Sequence, residues 1–410
     1  MKNLLDSIYY NAGNFIYLGA QMIISIILVH LGGFEDAGYF SLAMTISNIF
    51  IVVGNYGIRI YQVSDVNSQY SDNVYVLSRI LTVIVSMIIC IGYSLLMDYS
   101  IGLIAVILIY AVYKCIETYS DVLSGIWQKN GNMKDVGLSL GLKGILNIIA
   151  FSSVFFLTRN LFVSVVVMAL SSALVLVTFD VRKTELYVKE KLFREEKQLS
   201  KVWLLLGASV LSMASSTLVA VFNGVPKIMV EKILDAEALG VFSSVSVPTV
   251  VISTFAGGVL LPIAPKMAEN YENGNKKNLI RLMLVSDFIM VFIGLLASVG
   301  ALLIGEEVLT FIFGYEILPY YNLFYYMIWV NVLLAMINCY TTLFISVRQL
   351  KSPLIHSGFA CILLILLCSY YIRENGIFGA GCAMLFALVV QFVFETVHIS
   401  IIILKRKRCS

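Results

Sequence analysis

Residues 101–124 read IGLIAVILIYAVYKCIETYSDVLS, a run as long as a bilayer core is thick, with Lys114, Glu117 and Asp121 set into its second half. A helix that crosses a membrane needs roughly 20 mostly apolar residues, and this run is too continuous for the alternating strand of a barrel. At 3.6 residues per turn, Lys114, Glu117, Asp121, Gly125 and Gln128 fall within about 80° of arc on one face. Lys114 and Glu117, three apart, are spaced to pair. The segment reads as a membrane-spanning helix that turns a charged stripe away from lipid.

The rest of the chain follows this pattern. Of 410 residues, 60% are hydrophobic and 13% charged, about half the charged share of a soluble domain, and the mean hydropathy is +0.91. Further apolar windows fall at 10–31, 40–60, 78–97, 136–157, 161–179, 202–223, 240–264, 281–304, 318–346, 354–372 and 377–404. Backbone groups in hydrocarbon must be satisfied within their own segment, so the expected fold is an all-α integral membrane protein of about twelve transmembrane helices. The first span shows no small-residue cleavage site and reads as retained. Six cysteines lie inside apolar runs and Cys409 in a basic tail, without disulfide or metal spacing.

Orientation follows from Lys and Arg. With both termini in the cytoplasm, the inner segments carry 22 of the 28 basic residues and the outer ones 4. This topology accounts for the basic tail without a nucleic-acid partner. The one substantial hydrophilic break, from Asp180 to Lys201, leaves six spans on either side. Asp36-Ala37-Gly38-Tyr39-Phe40-Ser41 shares Gly, Phe and Ser with Ala238-Leu239-Gly240-Val241-Phe242-Ser243, about half a chain later. An even number of spans per half gives parallel repeats, so two six-helix lobes around a central cavity are expected. The division predicted is 1–180, an inter-lobe loop 181–201, and 202–410.

Polar stripes recur on other spans. Asn14, Tyr17, Gln21 and Ser25 share a face of the first, and Ser41, Thr45, Asn48, Asn55 and Arg59 a face of the second. Ser209, Ser212, Ser216, Asn223 and Lys227 share a face of the seventh, and Gln391, Glu395 and His398 a face of the last. Ser and Asn stripes serve helix packing as readily as a cavity. Lys114, Glu117, Asp121 and Lys143 are different, since each ion at membrane depth costs at least about 2.5 kcal/mol. They form either a structural ion-pair set or a site. Arg59 and Arg79 are placed to snorkel to the inner headgroups, and His30 and His356, near span ends, carry no expected role. No catalytic residue, nucleotide loop or metal set is evident, so a secondary transporter is expected rather than an enzyme.

Specific residues add a family. Tyr113-Lys114-Cys115-Ile116-Glu117-Thr118-Tyr119-Ser120-Asp121, with Gly125, Gln128-Lys129-Asn130, Ser139 and Lys143-Gly144, resembles the polysaccharide repeat-unit flippases of bacterial capsule and O-antigen pathways. These belong to the multidrug/oligosaccharidyl-lipid/polysaccharide exporter superfamily. Val225 to Lys232, Glu237 to Ser244, Pro262, Pro265, Tyr271 and Asn375 to Gly381 extend the resemblance along nearly the whole chain. Lys143 and Lys227 stand where that family more often has Arg, which keeps the charge and weakens bidentate phosphate recognition.

The resemblance implies movement of an undecaprenyl-pyrophosphate-linked oligosaccharide from the inner to the outer leaflet of the bacterial cytoplasmic membrane, by alternating access. Lys114, Lys143, Arg59 and Lys227 are then candidates for the pyrophosphate. Glu117, Asp121 and Glu395 are candidates for charge balance or ion coupling, and Asn14, Gln21, Asn48, Asn55 and Ser216 for polar lining. No cofactor is expected, proton or sodium coupling stays open, and membrane lipids, a polysaccharide polymerase and chain-length machinery are the implied partners. A multidrug exporter of the same superfamily would need a carboxylate-dominated cavity, a membrane-embedded polymerase a large outer loop, and a lipid II flippase more spans.

Overall fold

The computed structural model describes residues 2–65, 69–188, 198–252, 263–347, 349 and 351–405. Among them the chain is all-helical, with nine helices long and apolar enough to cross a membrane. It is a multi-pass membrane protein. Large apolar side chains such as Ile88, Leu96, Phe156, Phe288 and Leu366 lie exposed along these helices, as lipid rather than water requires. The residues divide into two compact units, Met1–Ala220 and Val221–Ser410.

In the first unit, α1 (Lys2–Asn55) is broken at Gly33, whose φ of +79° a side chain would disfavour. Each half is long enough to cross a bilayer. The halves double back: Gly13 and Tyr17 lie against Gly137 and Gly144 of α5 (Met133–Thr158), Gly32 lies at Phe155, and Phe40 packs a turn earlier, on Phe151. The first contacts are backbone to backbone. A Cβ on Gly13 or Gly137 would collide with the main chain of the other helix, so small residues set this approach. Phe40, Tyr110, Phe151 and Phe155 form a ring cluster beneath the turn. Tyr110 belongs to α4 (Ile101–Lys129), the helix with the charged stripe.

Two consecutive left-handed residues, Tyr56 and Gly57, separate α1 from α2 (Ile58–Ser64). α2 rests on α4, where Gln62 Nε2 donates to the Val122 carbonyl at 3.0 Å. α3 (Asp72–Leu96) follows. α6 (Leu161–Val175) runs without interruption through a π-helical segment, Leu176–Val181, into α7 (Arg182–Glu185). The helix thus continues past residue 179, where the apolar window ends. Asp180 does not open a hydrophilic loop; it is fully buried inside a continuing helix. α8 (Gln198–Ile233) begins in this unit and carries Pro226 in its later part.

The second unit continues with α9 (Ala236–Ser246), capped by Asp235 accepting from the Ala238 N–H at 2.7 Å. Then come α10 (Ile263–Glu272) and α11 (Lys276–Gly300), which extends through a π-helical turn into α12 (Glu306–Phe313). α13 (Asn322–Ser346) follows, and α14 (Lys351–Lys405) breaks at Gly376, φ +59°, as α1 does at Gly33. Its core is rich in methionine, with Met267, Met283, Met290 and Met336 around Phe344. The matching short segments behave alike, each in its own unit: Phe40 and Phe242 are buried, and so are Ser41 and Ser243. The window 240–264 includes residues 253–262, which, with Pro262, Arg348 and Arg406 to Arg408, lie outside the described residues.

Candidate functional site

Inside the first unit a cavity of about 580 Å³ gathers the polar faces of α1 to α5, with Ser216 from α8. Three ion clusters stand on its wall. In the first, Lys114 Nζ lies 2.9 Å from Glu117 Oε2, realising the i,i+3 pair read from the sequence. The Tyr17 hydroxyl, 2.6 Å from both Glu117 oxygens, and the Tyr113 hydroxyl donate to the same carboxylate. Gln21 Nε2 donates to the Tyr17 oxygen at 3.1 Å, and the Lys114 ammonium sits over the Tyr113 ring, 5.2 Å from its centre. The glycine seam of α1 and α5 brings Tyr17 this close to α4.

The second cluster is built on one carboxylate and two guanidiniums. Arg59 Nη1 and Arg79 Nη2 each lie 3.0 Å from an oxygen of Asp121. Arg59, on α2, also donates to Gln128 Oε1 at 2.8 Å and to the Asp121 main-chain carbonyl. Arg79, on α3, donates to the carbonyl and side-chain oxygens of Asn55, both at 2.9 Å, and to the Gly54 carbonyl at 3.3 Å. Those carbonyls end the second half of α1, where no further turn satisfies them and the helix dipole favours a cation. Arg79 therefore does not snorkel to the headgroups as expected. It is 0% exposed, and its guanidinium closes a helix terminus while holding Asp121.

The third cluster is sealed. Lys143 Nζ lies 2.6 Å from Asp180 Oδ2, with 3% and 0% of the two side chains exposed. Ser139 donates to Asp180 Oδ1 at 2.7 Å, and Ser120 bridges the ammonium and the carboxylate. The π-helical segment of α6 carries Asp180 into this position. Lys143 reaches the cavity wall with its charge already neutralised.

Of the residues singled out from sequence, Arg59, Lys114, Lys143, Glu117, Asp121, Asn48, Asn55 and Ser216 all line this cavity. Gln21 acts one step back, through Tyr17, while Asn14 is half-buried on α1 and outside the lining. Lys227 and Glu395 belong to the second unit. Arg79, Asp180 and the hydroxyls of Ser120 and Tyr113 were not assigned to a site by sequence. A polar residue at the edge of an apolar window looks like its end, which hid Asp180. Counting the ions, Arg59, Arg79, Lys114 and Lys143 face Glu117, Asp121 and Asp180, so the wall holds an excess of one positive charge. That excess resides in the arginine pair, because each lysine has a carboxylate of its own. The cluster is reached through Arg59 and Asp121, 23% and 41% exposed, while Arg79 behind them is buried. Two guanidiniums a carboxylate apart offer the fork geometry that lysines lack for phosphate oxygens.

Comparison with known proteins agrees with this architecture. Residues 4–268 match the family described as polysaccharide biosynthesis protein. The chain is 26% identical over 311 residues to the capsular polysaccharide biosynthesis protein CapF of Staphylococcus aureus, covering 75% of this chain and 76% of that one. Its fold is similar to the lipid II flippase MurJ in an inward closed conformation, with a TM-score of 0.74 and 13% identity over 97% of this chain and 87% of that one. It is also similar to a multidrug resistance MATE family transporter of the MOP superfamily in its inward-facing conformation. That match has a TM-score of 0.64 and 15% identity, covering 97% and 96% of the two chains.

Proposed function

Because this chain belongs to the polysaccharide biosynthesis protein family and is of the transporter type rather than an enzyme, we propose that it is a flippase for polysaccharide precursors. Its substrate in this reading is an undecaprenyl-pyrophosphate-linked oligosaccharide, moved from the inner to the outer leaflet of the bacterial cytoplasmic membrane by alternating access. The observation that carries the reading is the excess charge at Arg59 and Arg79. A pyrophosphate diester brings two negative charges and many acceptor oxygens into a site of low dielectric, where it needs charged donors. Asp121 holds both guanidiniums in orientation until the diphosphate competes for them, and takes them back when it leaves.

Lys114 is a further cation in reach, and Tyr17, Tyr10, Asn48 and Ser216 supply rings and hydrogen-bonding groups for the sugars. Lys143, tied to Asp180, holds α5 and α6 together, and Lys227 is assigned to the same anion at a separate stage of passage. The isoprenoid tail stays in lipid. The excess of basic residues in the expected inner segments supports cytoplasmic termini, with the arginine pair at the loading side. Moving two negative charges outward across an inside-negative potential is favourable by about 4.6 kcal/mol per 100 mV, which gives export a direction without a coupled reaction. Polymerase and chain-length proteins are the natural recipients of the product.

An organic-cation exporter would place carboxylates in excess on the cavity wall, the opposite of the count above. The test is the leaflet distribution of lipid-linked oligosaccharide after depletion of the protein, read with a sugar-modifying reagent that cannot cross the membrane. Intermediate protected on the inner leaflet is expected. Accumulation on the outer leaflet would reject flipping and place the lost step in polymerisation or transfer.

A further inference from the structure

The second unit holds a cluster of ionisable groups that the pyrophosphate reading does not use. Glu395, on the second half of α14, is 0% exposed. Gln391 Nε2 donates to its Oε1 at 3.0 Å, and among the described residues its Oε2 has no hydrogen-bond partner and neither oxygen pairs with a Lys or Arg. One turn on, His398 Nδ1 lies 3.1 Å from Nε2 of His356, which stands on the first half of the same broken helix. The rings are 5.1 Å apart and both pack on Phe344, and the buried Nδ1 of His356 has no partner among the described residues.

The geometry points to a proton-binding site at Glu395, with the His356–His398 pair one turn further along the same helix as a second proton acceptor. An ionised carboxylate with one bare oxygen in an apolar interior is strongly disfavoured, and the nearest relief open to it is a proton. The imidazole pair shares one N–H between two neutral rings and can take a second proton as a cation. A single added proton therefore leaves the cluster neutral on either the acid or the rings, and its loss leaves one buried negative charge. The surrounding groups do not supply that compensation. Tyr340 of α13 is committed to Asp287 of α11 at 2.7 Å, and Cys339 and Cys361 are thiols. Glu237 of α9 is an acid, and Lys351 and Lys405 stand at the ends of α14. The three groups lie on both sides of the Gly376 break, so protonation acts on the packing of the two halves of α14. Its use in driving transport rests on the flippase reading; proton binding itself does not.

The test uses the full-length protein in lipid nanodiscs, with infrared difference spectra recorded between about pH 5 and 9. A protonated-carboxyl band should be present at neutral pH, disappear on alkalinisation, and be lost in Glu395→Gln. Glu395→Asp, which keeps the acid, should retain a displaced band if the Gln variant inserts poorly. His398→Gln should shift the midpoint. Absence of any Glu395-dependent band across the range would overturn the site, and an unmoved midpoint in His398→Gln would remove the histidines from it. The readout needs no transport, so its failure is distinct from failure of the leaflet experiment.

Discussion

Replacing Lys143 by Met removes the cation from a pair that is almost wholly out of solvent and leaves the Asp180 carboxylate inside α6. Breaking a buried ion pair from one side costs about 3–5 kcal/mol. Here the Ser120 and Ser139 hydroxyls still donate to Asp180, so the loss belongs at the lower end, about 3 kcal/mol. Asp180→Leu alone strands the ammonium with Ser120 as its only remaining partner in the pair, a comparable cost. The double variant Lys143→Met/Asp180→Leu removes both charges, and the freed hydroxyls can turn to carbonyls of their own helices. It should lie within about 2 kcal/mol of the parent, giving a coupling near 4 kcal/mol. Reversible unfolding in bicelles, measured for all four proteins, supplies the cycle. Costs that simply add would refute the pairing. Surface polymer measured in the same set tests the role: recovery in the double variant assigns Lys143 to structure, whereas loss with stability restored returns it to the substrate site.

Other expectations follow from the same geometry. Arg79→Lys cannot span Asp121 and the Asn55 carbonyl at once, so surface polymer should fall at least tenfold while membrane insertion, followed by fluorescence of a fused reporter, is retained. Gly137→Ala places a Cβ on the Tyr9 main chain and should destabilise by about 1–3 kcal/mol in the bicelle assay, with Gly141→Ala, whose nearest neighbours are 3.6 Å away, affected far less. Outside the spans, burial would raise the Asp65 carboxyl, but N–H groups of Gln69 and Tyr70, the Tyr75 hydroxyl and the Lys129 charge outweigh it and hold it below its usual range. A carboxyl depressed on folding contributes stability above its unfolded value of about 3.9 and loses it as pH falls through the folded value. Unfolding midpoints should therefore drop on acidification below about pH 4 in the parent, and Asp65→Asn should be less stable at neutral pH and show a shallower acid limb.

Much of the site was legible because helix periodicity places polar residues on one face whatever the helix packs against. Lys114, Glu117 and Asp121 were found that way, and the i,i+3 ion pair is present. Periodicity says nothing about which faces meet. The partners of Lys143 and of Asp121 come from α6 and α3, 37 and 42 positions away in sequence, and no spacing rule reaches that far. The sequence also presents Arg79 and Asp180 at the ends of apolar windows, where charges usually mark headgroups. The Tyr56–Gly57 turn ends α1 at the carbonyls that Arg79 meets, and the π-helical segment carries Asp180 inward; both are departures from the regular helix on which the reading rests. Glycines at 33 and 376 hide in the same way, since a hydropathy window does not see a positive φ.

The distribution of the charges carries a further consequence for assembly. In the first unit, apart from the Lys114–Glu117 pair within α4, the paired cations and anions sit on different helices: Arg59 on α2, Arg79 on α3, Asp121 on α4, Lys143 on α5 and Asp180 in the continuation of α6. Each of these helices alone enters the bilayer with an ionic cost of about 2.5–3.5 kcal/mol per unpaired charge, and for the pairs between helices that cost is relieved only when the helices pack in one arrangement. Wrong pairings leave an ion in hydrocarbon, so the charges select the packing as much as they stabilise it. Lys143 with Asp180, and Lys114 with Glu117, complete this neutralisation. The arginine pair does not. A second carboxylate beside Asp121 would finish the balance, and the chain has none there among the described residues; an anionic substrate completes it instead, which is why the excess is kept at the most accessible of the three clusters.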